Sequence, residues 1–122
     1  MIEEKAMSLG HNEVKDNIRL TSELFLTRIN KKYDLEKAIL FGSYARHDER
    51  AQSDMDIAIL LRGTHRKRAD ISLEMASIAF DVMMETGILV DPIPFWVDEW
   101  QHPEKFKNPA LIKNIQQDGI LL

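Results

Sequence analysis

Apolar residues in the first third of the chain recur at helical spacing. From Asn12 onward Val14, Ile18, Phe25 and Ile29 fall near one stripe, with charged residues between them, and Asn12 is a suitable N-cap. The pattern then changes. "KAILFG" reads as a buried strand ended by Gly42, and "DIAILL" as a second short apolar strand closed by Gly63. The polar stretch "SYARHDERAQ" between them has room for a short helix beginning at Ser43. Helical spacing returns in "DISLEMASIAFDVMMETG", where Ile71, Met75, Ile78 and Val82 form a stripe, Asp70 is the expected cap and Gly87 the stop. "ILVDPIPFW" is a third extended segment. Its Pro92 and Pro94 remove two ladder donors, which assigns it to a sheet edge or to pairing on one side. "NPALIKNIQQDG" carries Asn108 as cap, Pro109 at the first helical position and Gly119 as terminator.

The order helix, strand, short helix, strand, helix, strand, helix predicts a single α/β unit. Residues 1–11 are expected to form a flexible leader, and residues 12–122 one domain. At 122 residues and 44% hydrophobic composition there is enough material for one core. Cysteine is absent, which excludes disulfides and thiolate metal sites. The start "MIEEKAMSLG" lacks the apolar stretch of a signal peptide, and "IAILL", the longest apolar run, is too short to span a bilayer. The expectation is a cytoplasmic protein with no membrane association. A formal charge of −4 argues against a freestanding nucleic-acid binder.

The chemistry concentrates in "ILFGSYARHDERAQSDMDIAILL". Side chains on a strand alternate faces, so Asp54 and Asp56 point to one side and Met55 and Ile57 to the other. Two carboxylates on one face raise each other's pKa unless a cation lies between them. A hard divalent ion such as Mg²⁺ prefers oxygen ligands and shares them with substrate phosphates. Asp54 as the cap of a turn after Ser53 is the simpler alternative. Gly42 allows close backbone approach to a phosphate, and Ser43 opens a helix with its hydroxyl available, although "FGS" alone is equally a tight turn. Asp91 lies between the apolar runs "ILV" and "IPF". It is either a further ligand or proton acceptor, or a polar residue on an exposed strand face.

Other residues carry less. Arg46, one turn after Gly-Ser, either reaches the β- and γ-phosphates or is a solvated helix arginine. "RGTHRKR" either touches an acidic partner or nucleic acid or is a solvated basic loop, and it lacks the aromatic interleaving that stacks bases. His11, His47, His65 and His102 show no metal-ligand spacing. Met75, Met83 and Met84 fall in a helix and are expected in the core; Phe95, Trp96 and Trp100 either cover the core, the preferred reading, or form a partner-binding patch.

"GSYARHDERAQSDMDIAIL", a Gly-Ser followed after ten residues by Asp-x-Asp, resembles the DNA polymerase β-like nucleotidyltransferases, and among them the minimal MNT proteins. The likeness runs from about Lys37 to Asp91, and more loosely to "IQQDGILL". His47 stands where the family commonly has glycine, and the stretch after Asp91 is idiosyncratic, so C-terminal contacts do not carry over. The resemblance implies a small mixed β-sheet flanked by helices. It also implies that Asp54 and Asp56 bridge two Mg²⁺ ions, that Asp91 binds the metal holding the acceptor oxygen, and that Gly42 and Ser43 hold the triphosphate.

MNT proteins pair with small helical HEPN ribonuclease toxins. The resemblance therefore implies an antitoxin that transfers AMP from ATP to a tyrosine hydroxyl of a HEPN toxin, with no direct nucleic-acid contact. Two alternatives stand beside it: a non-catalytic antitoxin acting by complex formation, and a nucleotidyltransferase acting on a small molecule.

Overall fold

The computed structural model describes residues 9–46 and 54–122, with side chains described from Asp16 onward and, before the break, as far as Ala45. Helix α1 spans Leu9–Lys32, strand β1 Leu35–Phe41, helix α2 Ser43–Arg46 and strand β2 Met55–Leu61. Helix α3 spans Arg68–Thr86 and strand β3 Val90–Trp96, followed by α4 at Val97–Gln101, a 3₁₀ turn at Pro103–Lys105, α5 at Pro109–Asp118 and β4 at Ile120–Leu121.

The sheet runs in the order β3-β2-β1-β4, with β2 and β3 parallel and the other pairs antiparallel. A parallel pair needs a crossover, and α3 supplies it. Alternation along β2 divides the core. Met55, Ile57, Ile59 and Leu61 face α1 and α3, packing with Phe25, Ile29, Ile71, Met75 and Val82. Ala58 and Leu60 face the opposite layer, where Phe95, Trp100, Ile112 and Ile115 close over them. As expected from its prolines, β3 is an edge strand. The Pro94 carbonyl accepts from Arg68, whose guanidinium also donates to Glu99.

That arginine explains a difference from the sequence reading. Helix α3 begins at Arg68, with Lys67 at the cap position and no side-chain cap, so Asp70 lies in the first turn. The tertiary bonds of Arg68 extend the helix beyond the local signal, and Asp70 still favours the positive helix end. Helix α1 likewise begins at Leu9, so Asn12 is internal, because each added helical residue gains a hydrogen bond once the helix exists. Residues 9–11 of the expected leader are therefore helical, and residues 1–8 lie outside the described part. Gly87 ends α3 with its N–H donating to Met83 O, and Asn108 caps α5 by accepting from Leu111 N–H at 3.3 Å.

One further expectation changes. Met84 is 70% exposed on the outer face of α3, so only Met75 of the methionine set is fully buried. "RGTHRKR" is largely exposed, as expected of a solvated loop, yet several of its side chains are paired within the fold. Arg62 donates to Asp34 at 2.9 Å, Arg66 donates to Glu74 at 2.7 Å, and His65 stacks on Trp96 while its Nε2 lies 2.7 Å from Asp98 Oδ1. The Asp98 carboxyl is held below its usual range by the His65 hydrogen bond.

Glycine 119 joins α5 to β4 at close quarters. A Cβ there would stand 2.4 Å from Ile39 Cγ2 and 2.5 Å from Ile115 O. Gly119→Ala is expected to lower stability by about 1–3 kcal/mol through overpacking, read as a lower urea midpoint with an unchanged slope. Glu74 is held below the usual carboxylate range first by Arg66 and then by Tyr33, and such a depressed group stabilises the fold above its ordinary pKa. The stability difference between the protein and Glu74→Gln should therefore be full at neutral pH. It should shrink as pH falls below about 4, in paired denaturation curves.

Candidate active site

The C-terminal end of β1 and the N-terminal ends of β2 and β3 meet at one end of the sheet. Register there sets Phe41 opposite Asp56, and Asp56 beside Asp91. Alternation places Asp56 on the face of Ala58 and Leu60, and Asp91 on that of Ile93 and Phe95, which is the α5 side. Neighbouring strands lie about 4.8 Å apart, so the two carboxylates spring from adjacent backbones. Asp54 is exposed, two positions ahead of Asp56 and just outside β2. The start of β2 is held in place by Met55 N–H donating to Leu89 O at 2.9 Å.

Beyond β1 the chain turns at Gly42, with φ +75°. A Cβ at this position would stand 2.3 Å from Asp56 Oδ2, so the carboxylate lies directly against the glycine. Backbone conformation and close approach each demand glycine here. The following α2 buries Tyr44 and Ala45, and Tyr44 joins the core under α1 and α3. This anchors the turn and leaves Gly42 and Ser43 facing a cleft of about 440 Å³.

Phe41, Gly42, Ser43 and Asp56 line one side of this cleft, and Leu111, Asn114, Ile115 and Asp118 of α5 line the other. The four α5 residues recur at the spacing of one helix face. Asp54 and Asp91 are outside this lining, and both are exposed. Of the residues singled out from sequence, the structure thus gathers Gly42, Ser43, Asp56 and Asp91 at one sheet end, with Asp54 adjoining. The side chain of Arg46 and the whole of His47 lie outside the described residues. Sequence reasoning passed over Asn114 and Asp118. Their signal was the i, i+4 spacing on the helix that carries Leu111 and Ile115, but nothing local says which strand end that helix faces.

Among the described residues, carboxylates, the Ser43 hydroxyl and the Asn114 amide gather here, and the carboxylate oxygens suit a hard cation. Among the described residues no three His, Cys, Asp or Glu side chains form a ready-made metal cage. Mg²⁺ is commonly held without one, by one or two carboxylates together with substrate phosphates. The in-register pair Asp56 and Asp91 fits that mode of binding.

Residues 25–91 match the family described as polymerase beta, nucleotidyltransferase. This chain belongs to that family. A Methanocaldococcus jannaschii protein that carries the provisional name of protein adenylyltransferase is 32% identical over 71 residues, or 57% of this chain and 48% of that protein. The chain thus spans about half the length of the curated relative it matches. Among solved structures, a provisionally assigned nucleotidyltransferase from Sulfolobus solfataricus superposes with a TM-score of 0.56 at 22% identity, covering 88% of this chain and 83% of its own. A toxin–antitoxin structure with AMP-PNP gives 0.53 at 19% identity, covering 92% and 71%. A mutant of the toxin–antitoxin pair MntA-HpeT gives 0.50 at 20% identity, covering 94% and 72%. These structures share the mixed sheet flanked by helices. No helix among the described residues is long and apolar enough to cross a membrane.

Gly42→Ala is expected to cost about 1–2 kcal/mol from the left-handed backbone alone. The clash with Asp56 adds to this. In an Asp56→Ala background the added part should disappear, which a double-mutant cycle of unfolding free energies would read as a coupling of about 1 kcal/mol.

Proposed function

We propose that this protein is an antitoxin that transfers AMP from ATP, with Mg²⁺, to a tyrosine hydroxyl of a HEPN-type toxin. The observation that carries the reading is the meeting of Gly42, Ser43, Asp56 and Asp91 at one sheet end, in a family of nucleotidyltransferases. The adenylyltransferase name of the archaeal relative supports a protein acceptor, and the fold shared with two toxin–antitoxin structures supports the partner.

Asp54, Asp56 and Asp91 are the residues that would hold two Mg²⁺ ions. When bound, such ions neutralise phosphate charge and favour ionisation of the attacking hydroxyl. The turn at Gly42 and Ser43 would hold the triphosphate, with the Ser43 hydroxyl donating to a phosphate oxygen. The exposed Asp91 on edge strand β3 is open to an acceptor arriving from outside, and its carboxylate takes up the hydroxyl proton. A bond forms between the acceptor oxygen and the α-phosphorus. The bond from that phosphorus to the bridging oxygen breaks, and pyrophosphate leaves with the electron pair. Little covalent work falls to the protein in such a displacement, so alignment and charge are its main contributions.

A tyrosine bearing an anionic nucleotide would oppose the entry of RNA phosphates, which is how the transfer silences a ribonuclease. The test is the intact mass of a toxin encoded beside this protein, after incubation with it, ATP and Mg²⁺. Increments of whole AMP units are expected, and Asp54→Asn/Asp56→Asn should abolish them. A stable complex without any increment, formed equally by protein and double variant, would reduce the role to binding.

A further inference from the structure

The proposed reaction leaves one carboxylate of the cleft unused. Asp118 lies at the last residue of α5, where a negative charge meets the negative end of the helix dipole. It is exposed, and no described side chain bonds to it. Helix stability therefore does not account for it. Strand pairing places it with some precision. Leu40 pairs with Ile120 and Ile39 with Leu121, which brings the end of α5 to the end of β1, and there Asp118 lines the same cleft as Gly42. Strand β2 brings Asp56 to Gly42 from one side, and the α5–β4 junction brings Asp118 from the other. Both line the same cleft.

A carboxylate in this position repels phosphate but accepts hydrogen bonds from neutral hydroxyls. The lining of α5 also has an order. Asp118 lies at the helix end that runs into β4 beside β1, Asn114 and Ile115 lie one turn back, and Leu111 lies a turn further. Seven residues of helix span about 10 Å, comparable to the length of a nucleoside. Phosphates at Gly42 and Ser43 therefore put a ribose next to Asp118. A base then falls beside the amide of Asn114, against the apolar surfaces of Phe41, Leu111 and Ile115. Vicinal ribose hydroxyls are natural donors to a carboxylate, the pairing by which dinucleotide-binding folds hold a ribose.

Building on the nucleotidyl-transfer reading, we propose that Asp118 binds the ribose 2′-hydroxyl of the donor nucleotide and makes the cleft selective for ribonucleotides. Calorimetric titration of the protein with ATP and with 2′-deoxy-ATP, both with Mg²⁺, tests this. The protein is expected to bind ATP about tenfold or more tightly than the deoxynucleotide, the scale of a hydrogen bond to a charged group. Asp118→Ala should weaken ATP to the level of 2′-deoxy-ATP and leave 2′-deoxy-ATP almost unchanged, with no fall in melting temperature. Asn114→Ala should alter the ratio of ATP to GTP binding and leave the ribose ratio intact. Equal binding of the two sugars by the protein, or equal weakening of both in Asp118→Ala, would overturn the ribose assignment while leaving nucleotidyl transfer standing. Failure of the protein to bind either nucleotide would overturn both.

Discussion

The contact on which the rest depends is that of the Asp56 carboxylate with Gly42. It holds a charged group against bare backbone at the mouth of a cleft, in a row with Phe41 on one side and Asp91 on the other. The arrangement makes sense if the charge is built to meet a cation and the phosphates that accompany it. Moving β2 or β3 by one residue would turn a carboxylate toward the α1–α3 side and an apolar side chain toward the cleft.

The two helical layers fix that register by different means. Beneath the sheet, α1 and α3 bury large apolar residues, and the α3 crossover makes β3 parallel to β2, so that Asp91 arrives level with Asp56. Above it, α5 is drawn in by Ile112 and Ile115 and brought close by Gly119, which lets the helix pass into β4 beside Ile39. The basic segment between β2 and α3 contributes as well. Its arginines and His65 bind acidic partners at and just before β1, on α3 and on α4, and Arg68 ties the crossover to the outer strand at Pro94. Charge that looked available for a partner is used within the fold.

Much of this was legible in the sequence because the signals are local. The two prolines marked β3 as an edge, and Gly-Ser followed by Asp-x-Asp marked the family. What escaped depends on distant contacts. The start of α3 is set by Arg68 bonding across to Pro94 and Glu99, which no local cap signal announces. The exposure of Met84 follows from the direction α3 faces, and the place of Asp118 in the cleft from pairing between β1 and a strand of two residues. Such a strand is too short for any periodicity to reveal.

The most direct test of the central claim is diffraction from crystals grown with Mn²⁺ and a non-hydrolysable ATP analogue, recorded for the anomalous signal of manganese. The account predicts manganese bound by Asp56 with Asp54 or Asp91, and the triphosphate lying over Gly42 and Ser43. Manganese bound away from these carboxylates, or a nucleotide seated elsewhere on the molecule, would contradict it.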